Sequence, residues 1–305
     1  MNDFEEYLNP YFIGTTEVLT NNGFIPITNI AKSNSIFYIS KNKLCRTKNY
    51  DILATSCEYP LSKYTFSKNS TFFGNSVLLN FISDSVNIYV SKDVKYINVY
   101  NTDIPAYIYL TYAFLFLNYF SYSSADKTFN FNILDSDPTF GYTVNNTIGY
   151  IYDRLNKLNI NIPICKDNNI TYKIKADVFP INLKEFISCV FYNFECIKDF
   201  LSFLVDCKLV YMFNSVYFLR CKNIDLAKFM LFLLSLMGFN PVLKANKDIY
   251  LIYFDTTTSN KNINYFNSNS IGYNISLPIE GAKLITLTNF NGFSTITYVP
   301  SIFKK

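Results

Sequence analysis

The chain has no histidine and no tryptophan among its 305 residues, and only nine glycines. Without imidazole the commonest general base and the commonest metal ligand are both missing, which excludes Ser–His–acid catalysis and His-ligated zinc. Any chemistry has to run on carboxylates, lysine, tyrosine or cysteine. The scattered glycines form no phosphate-cradling loop. Seven cysteines stand at 45, 57, 165, 189, 196, 207 and 221, with no C-x-x-C pair and no secretory leader. An odd number at irregular spacing reads as reduced, mostly buried thiols in a cytosolic compartment. An excess of one charge sign is lacking too: 27 basic side chains face 23 acidic ones, for a net +4 spread along the chain. That balance permits contact with nucleic acid but supplies no basic stripe that would demand it.

What is present is apolar and aromatic. Half the residues are hydrophobic and 18% are aromatic, with 26 Tyr and 30 Phe. Heavy use of Asn, Ile, Lys, Tyr and Phe resembles translation of an AT-rich genome such as a virus, phage, organelle or mobile element. The length suffices for one large or two ordinary domains with real cores. Residues 104–124 carry no charge, a run long enough on paper to span a bilayer. Pro105, Thr111, Asn118, several tyrosines and the absence of flanking Lys/Arg clusters argue instead for a buried core helix, with no membrane insertion.

The first hundred residues read as strands. Short runs (EVLT, FIPITNI, IFYIS, VLLNFI, VNIYV, KYINVY) alternate with Asn, Ser, Lys and Gly clusters. From about residue 105 the period changes. A helix is predicted over 105–122, strands over 128–134 and 140–144, a helix over 146–160 and a strand over 169–175. After Pro180 a similar order returns: helices over 183–193 and 196–208, a strand pair over 209–221, a helix over 224–238 and a strand over 248–254. This reads as an internal repeat of about 75–90 residues. The last fifty residues return to β character. The expected division is residues 1–103, 104–256 and 257–305, an α+β chain with a β region split around a duplicated αββαβ module.

Two stretches carry a resemblance to known families. Residues 11–30, YFIGTTEVLTNNGFIPITNI, resemble the opening block of inteins, with Gly14, Thr16, Val18, Thr20, Gly23, Ile27 and Ile30 on the pattern. Tyr11 stands where that family has its Cys or Ser nucleophile. The first splicing step is an acyl shift onto a thiol or aliphatic hydroxyl, for which a phenol is unsuited. Thr16 and Thr20 read equally well as ordinary strand residues. The chain ends Ile-Phe-Lys-Lys where an intein ends in His-Asn, so no terminal Asn is there to cyclise.

The second repeat resembles the LAGLIDADG homing endonucleases, which are often inserted in inteins. DFLSFLVDCKLVYMF (199–213) is similar to the motif helix and its strand, and residues 221–243 to the segment that follows. In that family two such helices pack through small residues, and an acid at each helix end binds a shared divalent metal. Here Asp206 matches the first acid, while the metal acid falls on Lys208, the following Gly on Leu209 and the packing Gly on Phe203. In YLTYAFLFLNYFS (109–121) the packing Gly falls on Tyr112, the metal acid on Leu117 and the last Gly on Asn118. A lysine in place of an acid repels the metal. Lys208 reads as a phosphate contact or, more simply, an exposed cap, and Asp206 as a helix-end carboxylate.

The resemblance therefore implies a split Hint-type β domain around a duplicated LAGLIDADG-like module, with no catalytic residue left, no metal and no cofactor. The expectation is a non-enzymatic structural or interaction subunit of a viral, phage or mobile-element assembly, in the host cytoplasm or the virion, not secreted. Its opening Met fits an independent protein. The alternative is a non-cleaving DNA- or RNA-binding protein, a regulator or maturase-like chain, with Lys208, Arg220 and Lys222 as candidate contacts. Alternating Tyr, Asn and Ser on the aromatic strands fits a protein partner as well as a nucleic acid. An active divergent nuclease would need Asp126, Asp135 or Asp225 to converge, and their spacing does not support it.

Overall fold

The computed structural model describes residues 12–57, 62–67, 70–74, 89–90, 104–132, 136–137, 142–143, 157, 164–166, 171–175, 179–207, 209–213, 216–237, 239, 241–246, 249–254, 262–265, 270–290 and 293–304. Tyr11, Asp135, Lys208, the strands expected at 77–82 and 95–100, and the helix expected at 146–160 except Lys157 lie outside them. The chain divides into two compact units, Met1–Val94 with Ala227–Lys305, and Lys95–Leu226. It is a mixed α and β protein built on antiparallel sheets.

The N-terminal arm supplies β1 (Glu17–Thr20), β2 (Gly23–Pro26), β3 (Ile36–Ser40), β4 (Lys43–Thr47), β5 (Asp51–Cys57), β6 (Ser62–Ser67), β7 (Ser70–Gly74) and β8 (Tyr89–Val90). The middle of the chain gives helix α1 (Ala106–Tyr119), then β9 (Ser121–Ser123), β10 (Thr128–Asn132), β11 (Ser136–Asp137), β12 (Tyr142–Thr143), β13 (Ile164–Lys166) and β14 (Thr171–Lys175). There follow α2 (Leu183–Tyr192), α3 (Ile197–Asp206), β15 (Val210–Phe213), β16 (Val216–Cys221) and α4 (Ile224–Leu236). The C-terminal arm adds β17 (Val242–Asn246), β18 (Ile249–Phe254), β19 (Asn262–Tyr265), β20 (Ser270–Leu277), β21 (Lys283–Phe290), β22 (Phe293–Pro300) and β23 (Ile302–Phe303).

In the first unit the two arms are interleaved. The strand order runs β18-β17-β22-β21-β1-β3-β4-β8, with β2 also paired to β1. Val18 lies opposite Thr286 of β21, and Thr20 opposite Ile36 of β3. β17 pairs with β22 through Leu243 and Ser294, which ties 242–254 to the C-terminal strands. A second pair of short sheets, β19-β6-β7 and β23-β20-β5, completes the unit. Val18, Ile27, Ile36 and Tyr38 from one arm close a core with Ile275, Leu277, Leu284 and Val299 from the other. Non-glycine residues at left-handed angles, Lys41 (φ 48°) and Asn42 (φ 61°), make the two-residue turn between Ser40 and Lys43. That turn matches the twist of the hairpin it joins.

The second unit packs helices and short antiparallel sheets around an aromatic core. Helix α1 is buried along most of its length, as a helix apolar on every side must be. At 14 residues it is about 21 Å long, against about 30 Å of bilayer hydrocarbon. No described helix is long and apolar enough to cross a membrane. The helix stops at Tyr119, earlier than the 122 predicted, because Phe120 turns extended (φ −108°, ψ 149°) and Ser121–Ser123 are drawn into pairing with β10. Phe116 stacks on Phe129 of β10 at 4.9 Å and meets Phe179 edge-on at 4.9 Å. The four-stranded sheet runs β13-β14-β10-β9 and the β15–β16 hairpin follows α3. Helix α3 buries Ile197, Phe200, Phe203 and Leu204 at helical spacing and exposes Lys198, Asp199, Ser202 and Asp206. Helix α2 is capped by Asn182, whose side chain accepts from the Glu185 N–H at 3.0 Å, while Glu185 reaches back to the Ile181 N–H.

Along the chain the helix-then-hairpin order occurs twice: α1 before β9–β10 with β13–β14 later, and α3 before β15–β16 with β17–β18 later. The expected helices over 183–193, 196–208 and 224–238 are present with slightly shorter ends, at 183–192, 197–206 and 224–236.

Candidate functional site

Three of the residues singled out in the sequence meet at the C-terminal end of α1. Leu117, at the metal-acid position, is half-buried and brings no ligand atom. Its neighbour Asn118 is 4% exposed and does the joining. The Asn118 amide donates to the Arg220 carbonyl at 3.2 Å, and its Oδ1 accepts from the Lys222 N–H at 2.7 Å and the Asn223 N–H at 3.5 Å. The side chain thus stitches a helix end to the turn between β16 and α4, across more than a hundred residues of sequence. Asn suits this because it offers a donor and an acceptor on one flat group.

Around it the chemistry is aromatic and cationic. The Tyr119 hydroxyl donates to the same Arg220 carbonyl at 3.3 Å. Burial pushes the Tyr119 phenol well above its ordinary range, with neighbouring Cys221 adding to the shift and Arg220 opposing it. Desolvation lowers the Arg220 guanidinium, and Tyr119 works against that. Lys222 is exposed, with its ammonium 5.5 Å from the Tyr119 ring centroid in cation–π geometry. Asn223 caps α4 through the N–H groups of Asp225 and Leu226 at 2.9 and 3.1 Å. Arg220 and Lys222 therefore stand together on a segment that Asn118 fixes. Lys208, the third candidate contact, lies outside the described residues.

The second motif helix ends differently. Asp206 is exposed in the last turn of α3, where a carboxylate opposes the helix dipole. It helps burial push the adjacent Cys207 thiol up to about 12. The positions expected to carry small packing residues hold large ones, Tyr112 and Phe203, both buried. Tyr107 of α1 meets Phe203 of α3 edge-on, with centroids 5.2 Å apart, so these helices pack by interlocking rings. Asp126 sits in the β9–β10 turn within hydrogen-bond reach of Ser123, and Asp225 is exposed in the first turn of α4. Among the described residues no three His, Cys, Asp or Glu side chains gather into a metal-binding group.

The opening block lies in the first unit. Phe12, next to Tyr11 at the nucleophile position, is buried and forms a two-way backbone bridge with Tyr273 of β20, at 3.0 and 2.8 Å. The short strand β23 runs parallel to the same strand at Ser276 and Leu277. Phe12 and β23 therefore attach to β20 within three residues of each other, about 10 Å along a strand. Thr16 is 1% exposed and its Oγ1 has no hydrogen-bond partner among the described residues. Thr20 donates to the Gly23 carbonyl at 2.8 Å and holds the turn. Gly14 is required by space: a Cβ there would lie 2.9 Å from Thr28 Cγ2 and 3.0 Å from the Tyr273 ring.

Two features had no signal in the sequence. One is the Asn118 junction, since Asn118 stood out only as the replacement for a glycine. The other is a pair between Glu17 of β1 and Lys228 of α4. Both depend on contacts between residues far apart in the chain, which local pattern does not encode. The chain matches no family model, and no curated protein matches it as a relative.

Proposed function

We propose that this chain is a catalytically inactive relative of inteins with an inserted LAGLIDADG-like module, acting as a structural or interaction subunit of a larger assembly. The observation that carries the reading is Asn118. At the helix end where the resemblance places a metal acid, an amide is taken up by three backbone hydrogen bonds, and Leu117 beside it is apolar. Such a residue holds structure together and has no lone pair to spare for a cation.

Four further features support the same reading. The twice-repeated helix-then-hairpin order agrees with a duplicated module. Interleaving of the two arms, with Phe12 and β23 on one strand, agrees with a β domain split around an insert. Thiols outside any disulfide at Cys45, Cys189, Cys196 and Cys221 agree with a reducing host cytoplasm or a virion assembled there. The chain's high aromatic content and low charge also suit a protein partly buried by partners. The test is to recover the tagged chain from its native source with and without nuclease. Stoichiometric protein companions that survive nuclease are the expected result; loss of all companions would overturn it.

A second reading, a non-cleaving nucleic-acid binder, has one observation in its favour. The β10–β14 register sets Lys173 against Asn130 and Lys175 against Thr128, positions of one parity, and Arg220 with Lys222 adds two more cations in the same unit. Polar and cationic residues at alternate strand positions are what a backbone-tracking sheet needs.

A further inference from the structure

We draw no further inference here: the strongest candidate, the uncharged strand β15 with Met212 66% exposed, following the exposed Val205 of α3, is an apolar surface for which nothing in the structure shows what covers it.

Discussion

Lys228 of α4 places its ammonium 2.8 and 2.7 Å from the two carboxylate oxygens of Glu17 on β1, although 211 residues separate them. The side chains are 13% and 7% exposed, so both charges have largely left water. The pair joins the two sequence arms of the first unit at the level of side chains, as β1–β21 pairing does at the level of backbone.

Lys228→Met is expected to destabilise the protein by about 3 kcal/mol, because the largely buried Glu17 carboxylate loses the Lys228 ammonium. The double variant Glu17→Gln with Lys228→Met should recover most of that loss. Urea midpoints of the three proteins at constant slope measure the coupling, and equal midpoints for the single and double variants would refute it.

Asn118→Ala leaves the Lys222 N–H without its side-chain acceptor in a partly buried junction and removes one of the two donors to the Arg220 carbonyl, which keeps the Tyr119 hydroxyl. The expected cost is about 1–3 kcal/mol, the range for one unsatisfied buried group. Hydrogen exchange should locate the loosening at the β16–α4 turn and the end of α1. A variant as stable as the parent would remove the junction from the argument, and with it the main support for a scaffold role.

Steric contact makes a separate prediction in the opening block. Gly14→Ala is expected to cost about 1–3 kcal/mol through overpacking, since its Cβ would press on Thr28 Cγ2 at 2.9 Å. Adding Thr28→Ser removes that methyl and keeps the hydroxyl. The double variant should regain part of the loss but not all, because the Tyr273 ring is still 3.0 Å away. Thermal midpoints of the two variants decide the matter.

Alkaline pH probes the buried thiols. Burial raises Cys189 from 9.0 to about 11, a shift its contact with the Tyr109 hydroxyl partly offsets. Burial, assisted by Asp206, raises Cys207 to about 12. The folded state therefore holds these protons after the unfolded state has released them. Stability is fully present below pH 9 and falls as pH climbs through 9 to 12, with a slope of up to about 1.4 kcal/mol per pH unit for each thiol. Cys189→Ala with Cys207→Ala should flatten that decline. A decline of unchanged slope in the double variant would assign it to other groups, the buried Tyr119 and Tyr298 phenols among them.

Where the chain's own period decides, sequence and structure agree. Helix α4 has apolar residues at every turn and starts at its Asn223 cap, so its existence and its first residue could be read directly. Helix α1 was legible as buried, but its end was not. Tyr119 to Ser123 has the same apolar and polar mix as the turn before it, and pairing with β10 decides where the helix yields. Lys41 and Asn42 show another limit: a Lys at a left-handed angle carries none of the Asn-Gly signature that announces such a turn. At the candidate site Arg220 and Lys222 stand out in the sequence by their charge. Asn118 was underestimated because its role depends on a strand more than a hundred residues away, which only the folded chain brings near.

The Arg220–Lys222 segment separates the two functional readings. Duplex affinity that rests on phosphate contact falls with salt, and each lost contact reduces the log–log slope by about one. Under the scaffold reading, binding to duplex DNA or RNA stays in the non-specific range of about 10⁻⁴–10⁻⁶ M near physiological salt. Lys222→Ala should then leave it unchanged. Lys222 suits this test because its side chain is exposed and meets the Tyr119 ring, while Asn118 bonds its backbone N–H, which alanine keeps. Arg220→Ala also alters a half-buried group, so its stability has to be measured alongside. Tight binding with a steep slope that drops by one in Lys222→Ala, at parental stability, would place nucleic-acid recognition ahead of scaffolding. A flat response with protein companions retained after nuclease would leave the junction at Asn118 as structural support for a protein interface.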